Sequence, residues 1–179
     1  MESRDPKGGP SDAELVRAAL EGDRWAQNAL FTRHAHRANG MAHRILAAVD
    51  VDDVVQDSFL TAFRDLERLQ DPSKFGSWLV GIVVRKAGKR VRRRAIGRRL
   101  GIVNPDAPDV ETLISSDAPP EIRAELRAAY AVLDKLASDE RIAFVLQRVE
   151  GYTVNEVAET MNLSPATVKR KVRRAQDQI

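Results

Sequence analysis

The stretch TVNEVAETMNLSPATVKRKVRRAQDQI, residues 153–179, decides the architecture. Thr153 and Glu156 stand three apart ahead of an apolar run, a capping box in which hydroxyl and carboxylate each take a free backbone N–H. A short helix with Val157, Ala158 and Met161 on its inner face follows. Asn162 can take the left-handed conformation that ends a helix, and Leu163 plugs the corner. Ser164 then caps a second helix with Pro165 at its first position, and that helix turns Val168, Val172, Ala175 and Ile179 inward. Two helices joined by so short a turn make a helix-turn-helix. The free face of its second helix carries Ala166, Thr167, Lys169, Arg170, Arg173 and Arg174 beside the capping Ser164. Small and hydroxyl side chains at a helix start approach base edges, and Arg and Lys bridge to guanine or phosphate, so this face reads as a DNA contact.

Charge along the chain supports a polyanionic partner. The net charge of +3 conceals segregation: residues 1–84 carry ten cations against thirteen carboxylates, and residues 100–168 five against twelve. Between them, residues 85–99 hold nine cations (Arg85, Lys86, Lys89, Arg90, Arg92, Arg93, Arg94, Arg98, Arg99) and no carboxylate, and a second block fills 169–174. Single-sign runs repel themselves unless a polyanion neutralises them, and two such blocks suggest two contacts on nucleic acid. The absence of cysteine excludes disulfides, thiolate zinc sites, Fe–S clusters and cysteine nucleophiles. The uncharged run 75–84 is about half of a membrane span, and residues 1–10 lack the apolar core of a secretory signal. The expectation is a soluble, cytoplasmic protein without a membrane segment.

Outward from the C-terminus the pattern stays helical. With aromatics at only 5%, helical packing by Leu, Val, Ile and Ala is favoured over an aromatic-rich sandwich. Leu15, Ala18 and Ala19, then Trp25, Ala29 and Leu30, read as inner faces of amphipathic helices. Val51, Val54, Val55, Phe59, Ala62, Phe63, Leu66 and Leu69 step by three and four. Phe75, Trp78, Leu79, Ile82 and Val83 repeat the step, so the β-branched run 79–84 reads as helix despite its strand propensity. Ser138 is placed as the cap of a helix bearing Ile142, Val145, Leu146 and Val149. Residues 97–120, with Asn104-Pro105, Pro108 and Pro119-Pro120, read as a linker. The fold class is therefore all-α: a disordered start over 1–11, one small helical domain over 12–96, the linker 97–120, and a second helical domain over 121–179.

On the helix from Val51, the face away from the core carries Asp53, Gln56, Asp57, Leu60 and Arg64. A Leu exposed within an acidic and amide stripe fits a protein-binding surface. His34, His36 and His43 do not share one helix face and have no carboxylate to complete a metal set. The acidic group Asp50, Asp52, Asp53 and Asp57 lacks the second cluster of a two-metal nuclease. Neither a Gly-rich phosphate loop nor a Gly-x-Ser-x-Gly nucleophile is present, so no catalysis and no cofactor are expected.

The segments DDVVQDSFLTAF (52–63), FGSWL (75–79), KRVRRR (89–94), EGYTVNEVAETM (150–161) and LSPATVK (163–169) carry a resemblance in this order and spacing. The chain resembles the bacterial RNA polymerase sigma-70 family, extracytoplasmic-function (ECF) group, which keeps only the second and fourth sigma domains joined by a linker. The resemblance implies binding of core RNA polymerase, at the clamp helices of the largest subunit and at the flap, with promoter recognition and melting. On this likeness Asp53, Gln56, Asp57 and Leu60 match the clamp contact. Lys74, Phe75, Trp78, Arg85, Lys86, Lys89, Arg90 and Arg93 match the part that opens and reads the −10 element, with Trp78 and Leu79 supporting its flipped-base pocket. Ser164, Ala166, Thr167, Lys169, Arg170, Arg173 and Arg174 match the −35 reader. An anti-sigma factor is a further implied partner. Arg85 and Lys89 stand where many members carry Asn and Asp, which strengthens phosphate attraction there. The competing reading, an autonomous helix-turn-helix regulator, accounts for the C-terminal half but leaves the 53–60 stripe and the 85–99 block without a role.

Overall fold

Ser11 opens the first helix through a capping box: its Oγ accepts from the Glu14 N–H at 3.3 Å, and its own N–H donates to the Glu14 carboxylate at 2.6 Å. In the computed structural model, which describes residues 9–46, 50–100 and 119–179, this helix is α1 (Asp12–Leu20). Gly22, at φ 91°, makes the turn that only glycine takes at no steric cost. α2 (Arg24–Leu46) follows, then α3 (Val51–Arg64), entered through Asp50 in the left-handed region. Two single 3-10 turns, Leu66–Arg68 and Pro72–Lys74, lead into α4 (Phe75–Arg99). The second half holds α5 (Pro120–Lys135), α6 (Ser138–Phe144) with a π turn at Val145–Val149, α7 (Val154–Met161) and α8 (Pro165–Gln176). The described residues contain helices and turns and no strand, in agreement with the all-α expectation.

α1 to α4 pack around Leu15, Leu30, Met41, Ile45, Phe59, Phe75, Leu79 and Val83, each 4% exposed or less. The run 79–84 is helical and buried on every side, because α4 packs against α2 and α3 on one flank and against α6 and α7 on another. Its β-branched residues are therefore tolerated by burial, which outweighs helix propensity. α6, α7 and α8 form the second cluster around Ile142, Leu146, Val157, Val168 and Val172.

The two halves share one apolar core. Gly88 gives α4 a notch: a Cβ there would lie 2.9 Å from Ile142 Cδ1 of α6. Around this contact Arg92 pairs with Asp139 at 2.9 Å, Arg141 donates to the Arg44 carbonyl at 3.2 Å, Arg44 pairs with Glu150, and Arg37 donates to the Tyr152 hydroxyl at 3.3 Å. Burial pushes the Tyr152 phenol up from its ordinary value, so it stays a neutral partner for Arg37 at physiological pH.

Three local expectations are corrected. Trp25 is 63% exposed: Asp23 accepts its N–H at 2.8 Å at the start of α2, and Ala26 and Leu30 take the inner face instead. Ala137, not Ser138, stands at the cap of α6, with no side-chain cap bond. Ile179 lies past the end of α8 and is 60% exposed. α4 runs to Arg99, beyond the boundary set at 96, while the start over 1–8 and most of the linker, 101–118, lie outside the described residues.

Candidate nucleic-acid interface

The helix-turn-helix has the local geometry its sequence dictates. Thr153 Oγ1 accepts from the Glu156 N–H at 3.3 Å, and the Glu156 carboxylate accepts from the Thr153 N–H at 2.7 Å. The Thr153 N–H and the Thr153 hydroxyl, each donating to that carboxylate at 2.7 Å, hold the Glu156 carboxyl below the usual carboxylate range. Asn162 ends α7 at φ 53°, and Ser164 Oγ accepts from the Thr167 N–H at 3.2 Å to start α8. Val168, Val172 and Ala175 are buried, which turns Ala166, Lys169, Arg170, Arg173 and Arg174 outward, all exposed, with Thr167 half-buried beside them. The Ser164 and Thr167 hydroxyls are 2.9 Å apart, so the polar start of α8 is held in one arrangement.

α4 divides its cations between two faces. Lys86, Arg90 and Arg94, four apart, lie against α3, where Asp57, Asp53 and Asp50 run in the opposite direction. Lys86 reaches Asp57 at 2.5 Å, Arg90 reaches Asp50 at 2.5 Å and Asp53 at 3.9 Å, and Arg94 reaches Asp50 at 2.6 Å. The Arg90 hydrogen bond, more than the partial burial that opposes it, holds the Asp50 carboxyl below its ordinary value. Arg85, Lys89 and Arg93, on the adjoining stripe, are exposed and make no ion pair among the described residues. Of the basic residues of α4 assigned to −10 DNA, Lys86 and Arg90 are thus engaged by carboxylates, and Arg85, Lys89 and Arg93 stand clear of them.

On α3 itself, Asp53, Gln56, Asp57 and Leu60 form an exposed stripe, with Leu60 62% exposed between buried Phe59 and half-buried Thr61. The turn before α4 is held by Asp71, whose carboxylate accepts from the Ser73 N–H at 3.0 Å and from its hydroxyl at 2.6 Å. Lys74 is exposed and Trp78 half-buried, while Phe75 is fully buried under the turn and stacks at 6.3 Å on Phe63. Phe75 therefore sits beneath the surface that Lys74 and Trp78 share.

The α4 and α8 cations are brought together by one carboxylate. Asp139 pairs with Arg92 of α4 and, at 3.3 Å, with Lys171 of α8. A cleft lined by Arg85, Gly88 and Arg92 on one side and Asp139, Ile142 and Thr160 on the other opens where α4 meets α6 and α7. The sequence reading missed Asp139 and the α3–α4 ladder. A usable signal existed for the ladder: 50, 53, 57 and 86, 90, 94 are both helical stripes, of opposite charge. Among the described residues no group of His, Asp and Glu is disposed to hold a metal ion.

Comparison with known proteins decides what this arrangement belongs to. The family description Sigma-70 region 2 matches residues 30–96, and Sigma-70, region 4 matches residues 126–177. The chain belongs to the sigma-70 family. Its place in the ECF group follows from the ECF RNA polymerase sigma-E factors of Salmonella typhimurium and Escherichia coli K12, each 32% identical over 94% of this chain and 92% of the relative. CnrH, solved in complex with the cytosolic domain of CnrY, superposes with a TM-score of 0.63 at 28% identity over 93% of both chains. The sigma factor RpoE of Bartonella quintana, solved with the anti-sigma factor NepR, shares the fold with a TM-score of 0.59 over 83% of this chain and 90% of that one. As an ECF sigma factor the protein binds RNA polymerase and acts in transcription initiation. No helix among the described residues is long and apolar enough to cross a membrane.

Proposed function

We propose that this sigma factor works in the cytoplasm without catalytic activity of its own and divides its tasks among three surfaces. The α3 stripe of Asp53, Gln56, Asp57 and Leu60 seats on the clamp helices of the largest polymerase subunit. The turn at Lys74 and Trp78, with the exposed α4 cations Arg85, Lys89 and Arg93, captures and opens the −10 element. α8 reads the −35 element through Ala166, Thr167 and Arg170, while Lys169, Arg173 and Arg174 engage phosphates. The observation that carries this reading is an exposed basic helix-turn-helix on the same chain as an exposed Leu60 within an acidic stripe. An autonomous DNA-binding regulator requires the first and has no use for the second. Melting costs a few kcal/mol per unstacked step, which contacts from a cationic surface to the opened strand offset.

An anti-sigma factor is a further expected partner. The Bartonella RpoE was solved with the anti-sigma factor NepR and CnrH with the cytosolic domain of CnrY, and both share this fold. The test of the whole reading is reconstitution: the purified chain is added to core polymerase, and transcripts from a genomic fragment library are mapped. Start sites downstream of one shared two-element motif support the proposal. Sequence-specific DNA binding by the chain alone, with no affinity for core polymerase, overturns it.

A further inference from the structure

α1 lies ahead of the segment that matches sigma region 2, yet it packs on the Pro72–Lys74 turn and on the start of α4. The link is polar and specific. The Asp12 carboxylate, at the first position of α1, accepts from Arg33 Nη1 at 2.7 Å and from His34 Nε2 at 2.8 Å, and Arg33 Nη2 donates to the Pro10 carbonyl at 2.8 Å. Partial burial pushes the Asp12 carboxyl up, but the hydrogen bonds and charges of His34 and Arg33 outweigh it and hold the group ionised. His34 is itself mostly buried, 13% exposed, with its ring centroid 5.3 Å from that of Phe75. Gly76 is the other wall: a Cβ there would lie 2.8 Å from His34 Cε1.

His34 is therefore a wedge, fixed by Asp12 on one side and pressed on Phe75 and Gly76 on the other. Those two residues begin α4 and lie between Lys74 and Trp78. We infer that the Asp12–His34 pair is a positioning device for the turn 71–78, setting the height and angle at which Lys74 and Trp78 are presented to the −10 strand. The inference rests on the −10 assignment made above and adds α1 to the promoter-opening machinery. The hydrogen bond from Nε2 to Asp12 fixes the orientation of the imidazole. The ring then fills the space that Gly76 leaves, and Phe75 cannot rotate away without losing its stack on Phe63.

The experiment uses the full chain assembled with core polymerase. Three affinities are measured: for core, for a −35 duplex, and for a short non-template-strand oligonucleotide spanning the −10 element of a promoter mapped by library transcription. His34→Gln keeps an N–H near the Nε2 position, and His34→Leu keeps bulk without the donor. His34→Leu is expected to lower oligonucleotide affinity roughly five- to tenfold, less than the full worth of the lost charge-assisted hydrogen bond, with the other two affinities within about twofold. His34→Gln is expected to stay within about twofold throughout. Gly76→Ala, which displaces the ring from the opposite wall, is expected to mimic His34→Leu. A parallel fall of all three affinities with the melting temperature, or wild-type oligonucleotide binding by His34→Leu, overturns the positioning role. Lys74→Ala with Trp78→Ala separates the two failures: if that variant binds the oligonucleotide normally, the −10 assignment falls and takes the positioning role with it.

Discussion

Reversing the charge of Asp139 is expected to loosen the docking of the two halves. Asp139 is the one carboxylate that touches both basic blocks among the described residues, at 2.9 Å from Arg92 and 3.3 Å from Lys171. The three side chains are 34%, 56% and 21% exposed, so solvent screens each pair and each contributes about 0.2–1 kcal/mol. Only the Arg92 pair joins the halves, since Lys171 on α8 lies in the same half as Asp139, and Asp139→Arg replaces that attraction with a like-charge contact of similar size. The packed arrangement of the halves then loses about 0.4–2 kcal/mol, roughly a two- to thirtyfold shift in its ratio to an open one. The Gly88–Ile142 contact and the Arg141 bond to the Arg44 carbonyl are left in place. The chain has no cysteine, so Asn28→Cys and Gln178→Cys, both at exposed positions of opposite halves, give a dye pair with no background thiol. Transfer efficiency in the otherwise wild-type chain is expected to fall as salt rises, because the screening length drops from about 10 Å at 0.1 M to about 3 Å at 1 M. Asp139→Arg is expected to show that fall already at low salt, and adding Arg92→Glu to recover part of it. Efficiency unchanged by Asp139→Arg at every salt concentration refutes an electrostatic latch at Asp139 and leaves the docking to the Gly88–Ile142 contact and the links made by Arg141, Arg44 and Arg37.

Other outcomes follow from single positions. Leu60→Arg is expected to abolish core-polymerase binding in a pull-down without lowering the melting temperature, since Leu60 is 62% exposed and packs on little. Arg170→Ala is expected to cost about 1–3 kcal/mol on the −35 sequence if it makes a base contact, and an equal loss on scrambled DNA assigns it to phosphate instead. Asp50 has a carboxyl depressed by Arg90 and Arg94, so its stabilising effect is complete above the unfolded value of about 3.9 and is lost as pH falls through the lower folded value. Asp50→Asn, which keeps a residue tolerant of the left-handed backbone, is therefore expected to melt earlier than wild type at neutral pH, by about 1–2 kcal/mol of stability. That gap should narrow in acid below about pH 4.

What the sequence made legible was local. The capping box at Thr153, the left-handed Asn162, the Ser164 cap and the buried Val168, Val172 and Ala175 follow from interactions within four residues, and all are present. The three-and-four step likewise separated helix from strand in 79–84, where propensity alone pointed the wrong way. Trp25 and Ile179 were misplaced because an apolar side chain at a helix end satisfies the period without having a neighbour to bury it. The nine-cation block was read as needing an external polyanion because each run was weighed against itself. Half of the answer lies at α3, 29 to 44 residues earlier, and only the antiparallel packing of α3 on α4 brings the two stripes together. The seating of Ile142 over Gly88 belongs to the same class: no local signal marks it, since a helical glycine is ordinarily a weakness rather than a notch.

The division of α4 into two charged faces has a consequence for how salt controls DNA binding. Affinity for single-stranded DNA falls with the logarithm of salt at a slope of about −0.7 per phosphate neutralised, and each cation counts only if it is available to the strand. A cation already matched by a carboxylate exchanges one partner for another and releases fewer counterions than a free one. Lys86, Arg90 and Arg94 are matched by Asp57, Asp53 and Asp50, whereas Arg85, Lys89 and Arg93 form no ion pair among the described residues. Lys89→Ala is therefore expected to reduce the slope for the −10 oligonucleotide by about 0.7, and Lys86→Ala by far less, although the two residues stand three apart on one helix. Fluorescence anisotropy across a salt series at fixed pH reads both slopes. Equal reductions would mean that the α3 carboxylates release their partners when DNA arrives, and the distinction between the two faces of α4 would then have no bearing on binding.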